Sequence, residues 1–319
     1  MLSITLSMLC FLGVYEFWCG NMNKELESYI TDYVVDHLGH DYQYARLRRS
    51  GAGCINETWE LYAEGQRSLF VKIGRKGFSS MYQREFEALI ELRKAQKFHV
   101  PEPMITGLLE DECALLVMEF IPLTPVRRSS ESALGEALAE MHSIVSAEYG
   151  LTEDNYIGRS MQQNGWSDNW WQFFCEKRLS YQLGVAVESG IHQELASQIQ
   201  GIIQRAPDFF ASHHPSASML HGDLWSGNVS TDSHGMPVIY DPALYYGDPE
   251  TDIAMSQMFG ALGLGVYEAY YGNISSVEGV ELRRPLYDLY HWLNHFNLFG
   301  VTYLGQINRV VKQLLHFIM

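Results

Sequence analysis

Residues 220–228 read LHGDLWSGN, which places a carboxylate, Asp223, and an amide, Asn228, five positions apart on a stretch too irregular for a helix or strand. A second acid, Asp241, follows an apolar run at the head of YDPALYYGDPETDIAM. Magnesium takes oxygen ligands and completes its shell with phosphates and water, so one Asp and one Asn are a sufficient protein share. A fold that carries this pattern must bring two separate loops to one point. The competing reading is local: a loop aspartate in HGD or DPA can simply cap turn backbone.

The chain ahead of this cluster is rich in strands. Apolar residues at Leu26, Tyr29, Ile30, Tyr33, Val34 and Leu38 have helical spacing over 23–38, and Gly39 supplies a stop. Extended runs at 44–48, 57–63 and 68–73, separated by SGAGCIN and AEGQ, predict an antiparallel meander. A helix is predicted over 79–97, with Tyr82, Phe86, Leu89 and Leu92 as its apolar stripe. Runs at 104–109 and 114–121 (ALLVMEFI) complete five strands. Pro122 and Pro125 then break the pattern. Beyond them amphipathic helices are predicted at about 131–147, 167–189, 191–206, 249–262, 282–300 and 304–318, with short strands at 218–220 and 237–240. The expected division is an extension at 1–21, a strand-rich lobe at 22–121 and a mostly helical lobe at 122–319, the two lobes binding nucleotide and acceptor respectively on the reading below. No repeat or low-complexity tract interrupts it.

In protein kinases a catalytic-loop Asp orients the acceptor hydroxyl, an Asn five residues later holds one magnesium, and an Asp beyond a short hairpin holds the other. Asp223, Asn228 and Asp241 fall in that order, and a kinase needs further groups upstream. Lys72, in LFVKI, is a cation projecting from an apolar strand and suited to the α/β-phosphates; a snorkelling edge lysine would look the same. Glu85 in the next helix is its expected partner, with Glu87 on another helical face as the alternative. Gly51 and Gly53 flank Ala52 in the first hairpin turn, where bare backbone N–H groups can approach phosphate, although an ordinary turn uses the same residues. Glu119, Phe120 and Ile121 end the last strand, where kinases offer backbone to adenine. Asp248-Pro249-Glu250-Thr251-Asp252 reads as a helix start with Asp248 as N-cap and Pro249 at N1. Asp252, with His221, is assigned to the support of the catalytic loop.

Composition limits the partners. A formal net charge of −16 repels a phosphate polymer over most of the surface, so no nucleic-acid partner is expected. ATP remains compatible, because local amides, one lysine and divalent metal neutralise its phosphates. Charged residues make up 19% and hydrophobic residues 47%, which fits globular cores rather than a polar tail. Five scattered cysteines with no C-x-x-C pair suggest neither a disulfide framework nor a zinc site, and a reducing, cytoplasmic setting is expected. Residues 1–20 are apolar but lack an early Lys or Arg, carry Glu16 and show no A-x-A-like cleavage site. They are also too short and interrupted to span a bilayer. Met22 is therefore taken to open the working protein, and no membrane association is expected.

With LHGDLWSGN, YDPALYYGDPETDIAM and LNHFNLFG (residues 293–300) in view, the chain resembles the fructosamine kinase (ketosamine-3-kinase) family within the aminoglycoside-phosphotransferase-like group. That resemblance implies an α+β, two-lobed protein-kinase-like fold, with a five-stranded antiparallel sheet plus helix in the small lobe and a larger, mostly helical lobe. It implies Mg2+- and ATP-dependent phosphorylation of a ketosamine, at the sugar 3-hydroxyl, with Asp223 as catalytic residue and Asn228 and Asp241 as metal ligands. The phosphorylated adduct then sheds its amine, which is a repair activity. The acceptor is a free ketosamine or a glycated protein, and the enzyme is expected as a monomer or weak dimer. Asp241 is followed by Pro-Ala and no long segment separates it from Asp248, which favours a small acceptor over a regulated protein kinase. Trp225 could stack on the sugar or sit in a lobe core. His295 could face the acceptor or be a surface or core histidine. Cys54 beside the glycine pair suggests redox inhibition. Two other readings remain open: a kinase for an aminoglycoside, choline or sugar, and a nucleotide-binding pseudokinase scaffold, which magnesium-dependent ATP turnover would separate.

Overall fold

Leu26, Ile30 and Val34 recur every four residues along α1 (Lys24–Leu38), and in the computed structural model all three are buried against the sheet that follows. The structure describes residues 24–50, 57–109, 113–272 and 278–318. The expected extension at 1–21, Gly51, Gly53 and Cys54 lie outside the described residues.

The chain divides into two compact units, one formed by residues up to Phe86 with Glu102–Ile121, the other by Glu87–Pro101 and the chain from Pro122 onward. In the first, β1 (Arg46–Arg49), β2 (Glu57–Tyr62), β3 (Leu69–Arg75), β4 (Pro103–Leu109) and β5 (Cys113–Glu119) form an antiparallel sheet in the order β1-β2-β3-β5-β4. Side chains alternate across a strand, so Leu69, Val71 and Ile73 of β3 join the core with α1 while Lys72 projects from the opposite face. The helix that follows, α2 (Ser79–Leu92), is shorter than its sequence pattern predicts. Past Leu92 the amides of Lys94 and Ala95 bond back three residues, to Glu91 and Leu92, and so tighten the last turn. Arg93 Nη1 then ties the chain down by donating to Val100 O at 3.1 Å.

The second unit is mainly helical: α3 (Glu131–Ser143), α4 (Trp170–Phe173), α5 (Tyr181–Glu188), α6 (Gln193–Phe210), α7 (Glu250–Ser256), α8 (Leu264–Gly272), α9 (Val280–Phe299) and α10 (Leu304–Ile318). Its core is built by Leu195, Ile199 and Phe210 of α6, Leu289 and Leu293 of α9, and Val310 of α10, among others. The predicted helix at 167–189 is present but not regular, because a π-helical stretch (Phe174–Ser180) joins α4 to α5. Helix α6 runs through Pro207 to Phe210, past the predicted stop at 206, and Phe210 is buried at its end. Helix α8 has no counterpart in the sequence reading; it lies close against α3 because Gly135 has no Cβ to strike the Val266 carbonyl.

Short strands position the loops of the second unit. Strands β6 (Val145–Ser146), β9 (Ala217–Leu220) and β12 (Tyr245–Gly247) form one sheet in the order β12-β9-β6, and β10 (Val229–Thr231) pairs with β11 (Pro237–Ile239) as a hairpin. A further hairpin, β7 (Asn155–Ile157) with β8 (Ser160–Gln162), lies in a stretch the sequence leaves unassigned. Among the described residues no helix is long and apolar enough to cross a membrane.

Candidate active site

Leu220 pairs with Tyr245 at the end of β9, so the chain leaves the central strand of this sheet into His221-Gly222-Asp223 and returns beside it in β12 after Asp241-Pro242-Ala243-Leu244. The β10–β11 hairpin closes the loop from the other side, where Tyr240 N donates to Asn228 O at 3.2 Å. Ala243 N also donates to His221 O at 2.9 Å. These pairings bring Asp223, Asn228 and the strand leading to Asp241 together, and the intervening residues are the connections that make the pairing possible.

Asn228 is buried, and its Nδ2 donates to Asp223 O at 2.9 Å and to Asp223 Oδ2 at 3.1 Å. Its Oδ1 makes no hydrogen bond among the described residues. Asp241 is exposed and is the only non-glycine residue at positive φ (58°) among the described residues, a conformation that aims its side chain at a cost in backbone strain. Burial of the carboxyl first, and then the charge of Asp241, push the Asp223 pKa up to about 7 against the favourable Asn228 hydrogen bond. An amide oxygen and a carboxylate beside a second, reluctantly ionised carboxylate form a hard-oxygen donor set that suits a divalent cation such as Mg2+.

The loop beneath Asp223 is held by one acid. Asp252, 1% exposed, accepts His221 N at 2.7 Å on Oδ2 and Gly222 N at 2.9 Å on Oδ1, with His142 Nε2 3.3 Å from Oδ2. Burial alone would raise the Asp252 pKa, but the His142 hydrogen bond and the Gly222 amide act against it, and the net shift is downward. His221 is fully buried; its Nε2 donates to Tyr240 O at 2.9 Å, so Nδ1 is free to accept Asp223 N at 3.3 Å. Burial lowers the His221 pKa, consistent with that neutral tautomer. Gly222 sits at φ 82°, and a Cβ there would collide with the Ala243 carbonyl. His142, which the sequence reading did not single out, also meets Tyr270 Oη at 2.8 Å through Nδ1.

The helix bearing Asp252 is assigned from Glu250, one residue later than the sequence places N1. Asp248 still acts as its cap, since Oδ1 accepts Glu250 N at 2.9 Å. Its Oδ2 meets His213 Nε2 and Tyr287 Oη, each at 2.5 Å.

Trp225 and His295 are each half-buried and are joined by a residue the sequence reading missed. Phe259 lies edge-on to Trp225 (centroids 6.0 Å apart) and tilted over His295 (4.6 Å). Burial lowers the His295 pKa, favouring the neutral ring. No local pattern marks Phe259; it becomes visible only once Ser226 Oγ is seen to donate to Phe259 O at 3.0 Å.

In the first unit Lys72 Nζ lies 2.6 Å from Glu85 Oε1, with the two side chains 5% and 11% exposed. At the end of β5 the amides of Glu119 and Phe120 already donate, to Glu102 O at 2.8 Å and Ser68 O at 3.3 Å, and Arg67 Nη1 lies 3.8 Å from Glu119 Oε1. Of the three N–H groups expected to meet adenine, only that of Ile121 makes no hydrogen bond among the described residues.

Known proteins are similar to this chain along most of its length. A protein-ribulosamine 3-kinase, chloroplastic, of Arabidopsis thaliana is 36% identical over 92% of this chain and 89% of its own. A crystal structure described as "putative fructosamine-3-kinase" from Haemophilus somnus superposes with a TM-score of 0.80 at 28% identity, covering 90% of this chain and 97% of that one. A thermostable mutant of the aminoglycoside phosphotransferase APH(4)-Ia, in complex with AMP-PNP and hygromycin B, shares the fold alone, with a TM-score of 0.60 at 13% identity over 89% of this chain and 98% of its own. The sequence model for fructosamine kinase matches residues 26–317, and the chain belongs to the fructosamine kinase family.

Proposed function

We propose that this chain transfers the γ-phosphoryl group of ATP to the sugar 3-hydroxyl of a ketosamine, the step that commits a glycated amine to release. The observation that carries this reading is the placement of Asp223: a carboxylate on a loop whose backbone amides are gripped by Asp252, hydrogen-bonded to Asn228. A carboxylate fixed in this way can accept a hydroxyl proton. The acceptor oxygen bonds to phosphorus as the bond to the ADP oxygen breaks, and the hydroxyl proton passes to Asp223. Lys72, oriented by Glu85, binds the α/β-phosphates, and Ile121 offers its backbone to the adenine. Asn228 and Asp241 would hold magnesium, which would neutralise triphosphate charge. Trp225, backed by Phe259, gives the sugar an apolar face, and neutral His295 supplies a polar edge. The Arabidopsis relative named as a protein-ribulosamine 3-kinase supports the acceptor class.

The test is phosphate transfer from Mg·ATP to a panel of fructosamines and ribulosamines, free and on lysine peptides, beside aminoglycosides, choline and simple sugars. Transfer to ketosamines, with phosphate located on O3 by NMR and release of free amine afterwards, is the expected result. Transfer confined to an aminoglycoside, choline or simple sugar would overturn it.

A further inference from the structure

Arg178, in the π-helical stretch, is 0% exposed, and among the described residues no carboxylate pairs with it. An interior cation is expensive unless something uses its charge and its donors. The guanidinium donates to the carbonyls of Gln163 and Lys177, and its Nη2 donates to Asn164 Oδ1 at 2.8 Å. Asn164 Nδ2 passes the chain on to Asn155 Oδ1 at 2.9 Å, and Gln162 Nε2 reaches the same oxygen at 2.9 Å. Tyr290 Oη donates to Gln162 Oε1 at 2.8 Å, which fixes that amide in one orientation.

Besides Glu153 O, which accepts Asn164 Nδ2 at 3.0 Å, and the Phe173 ring, 4.8 Å from the Arg178 guanidinium, the network makes three contacts with one short segment. Gln162 Nε2 donates to Ala243 O at 3.0 Å, Asn155 Nδ2 donates to Leu244 O at 2.8 Å, and the Arg178 guanidinium lies 4.1 Å from the Tyr245 ring centroid. Three consecutive residues are thus held by three members of one buried network, with only Pro242 between them and Asp241. Ala243 is also the residue whose amide bonds to His221 O and whose carbonyl fills the space that a Gly222 side chain would need. A displacement of Ala243 would therefore shift both loops of the site. Asp241 needs such support, because its positive φ is sustained only where surrounding structure imposes it.

We propose that Arg178, Asn155 and Gln162 are positioning residues that hold the segment carrying Asp241 in its metal-binding conformation. This rests on the reading of Asp241 as a metal ligand given above. The full-length chain carrying Gln162→Met, which keeps the volume and removes the amide, is compared with wild type and with Ile199→Ala, a core truncation in α6 that removes no polar contact. Hydrogen–deuterium exchange across residues 241–247 is measured without metal or nucleotide, and Mn2+ binding in the presence of ATP is followed by EPR. Gln162→Met should speed exchange in that segment relative to β3 and weaken Mn2+ binding about ten-fold, as loss of a residue that orients a metal ligand does. Ile199→Ala should lower the melting temperature and leave both readouts at their wild-type values.

Wild-type exchange and Mn2+ binding in Gln162→Met would overturn the proposal, as would the same changes in Ile199→Ala. Arg178→Met should repeat the Gln162→Met pattern, and if it does not fold Gln162→Met decides alone. Failure of the wild-type chain to bind Mn2+ with ATP would instead overturn the metal reading of Asp241, and the exchange arm, which needs no metal, would then decide whether the segment is held as proposed.

Discussion

Lys72 and Glu85 form a short ion pair, 2.6 Å between Nζ and Oε1, with both side chains nearly withdrawn from water. Removing one partner of such a pair leaves an uncompensated charge, which costs about 3–5 kcal/mol where burial is complete. Glu85→Ala should therefore lower the denaturation midpoint measured by urea titration and also raise KM for ATP. Lys72→Met is expected to lower kcat by about 10²–10³, the usual loss for one electrostatic stabiliser of the transition state. A Lys72→Met enzyme with wild-type kcat would refute its assignment to the phosphates.

Asp223→Asn keeps the shape of the side chain and removes its ability to accept a proton. Turnover should fall by about 10²–10⁴, the range for loss of a general base, while ATP affinity by calorimetry stays within a few-fold of wild type. Parallel loss of ATP binding would point to a structural role.

Asp252→Asn should separate stability from pH. The Asp252 pKa is depressed in the folded chain, so its contribution is present above the unfolded value of about 4 and is lost as pH falls through the lower folded value. Wild type should lose stability in acid over that window, and Asp252→Asn should be less stable at pH 7 with a flatter acid limb. Removal of a charged acceptor from two backbone amides predicts a loss of about 2–3 kcal/mol at pH 7. Chemical denaturation of both proteins at a series of pH values reads this directly.

Asp288 on α9 titrates in the opposite sense. Burial raises its pKa to about 6 despite the charges of Arg284 and Arg309, and its Oδ1 is buried with no hydrogen bond among the described residues. Between about pH 4 and pH 6 the folded chain holds a proton that the unfolded chain has released, so stability falls as pH rises through this window. Asp288→Asn should raise the melting temperature at pH 7 and remove that slope, while kcat is unchanged. A melting temperature at pH 7 equal to or below wild type would count against the burial penalty.

The residues of the candidate site were legible where polar residues interrupt apolar runs. Asp223, Asn228 and Asp241 stand out for that reason, and β9, β10, β11 and β12 explain why their spacing closes into one cluster. Sheet and helix periods likewise carried α1, the five strands of the first unit and most helices of the second. What stayed hidden depends on burial that composition does not reveal. Asn155, Gln162 and Asn164 lie in a stretch rich in Gly, Asn and Ser that reads as solvated loop, yet all three are buried. His142 ends an ordinary amphipathic helix, and only the approach of Asp252 from a distant stretch gives it a role. Helix α8 is flanked by glycines and has apolar residues on every side, so the helical period has little to detect.

The widened turn between α4 and α5 sets how tolerant this part of the chain is to a change of length. At about 100° per residue a regular helix would carry Leu179 to the side opposite Trp170, yet both residues are buried in the same core. The π-helical stretch absorbs one residue and keeps them on a common face. Deleting a single residue from this stretch would restore a regular helix with its flanks still in phase, and would remove the wide turn on which Arg178 is seated. A more regular backbone here would therefore be the defective one.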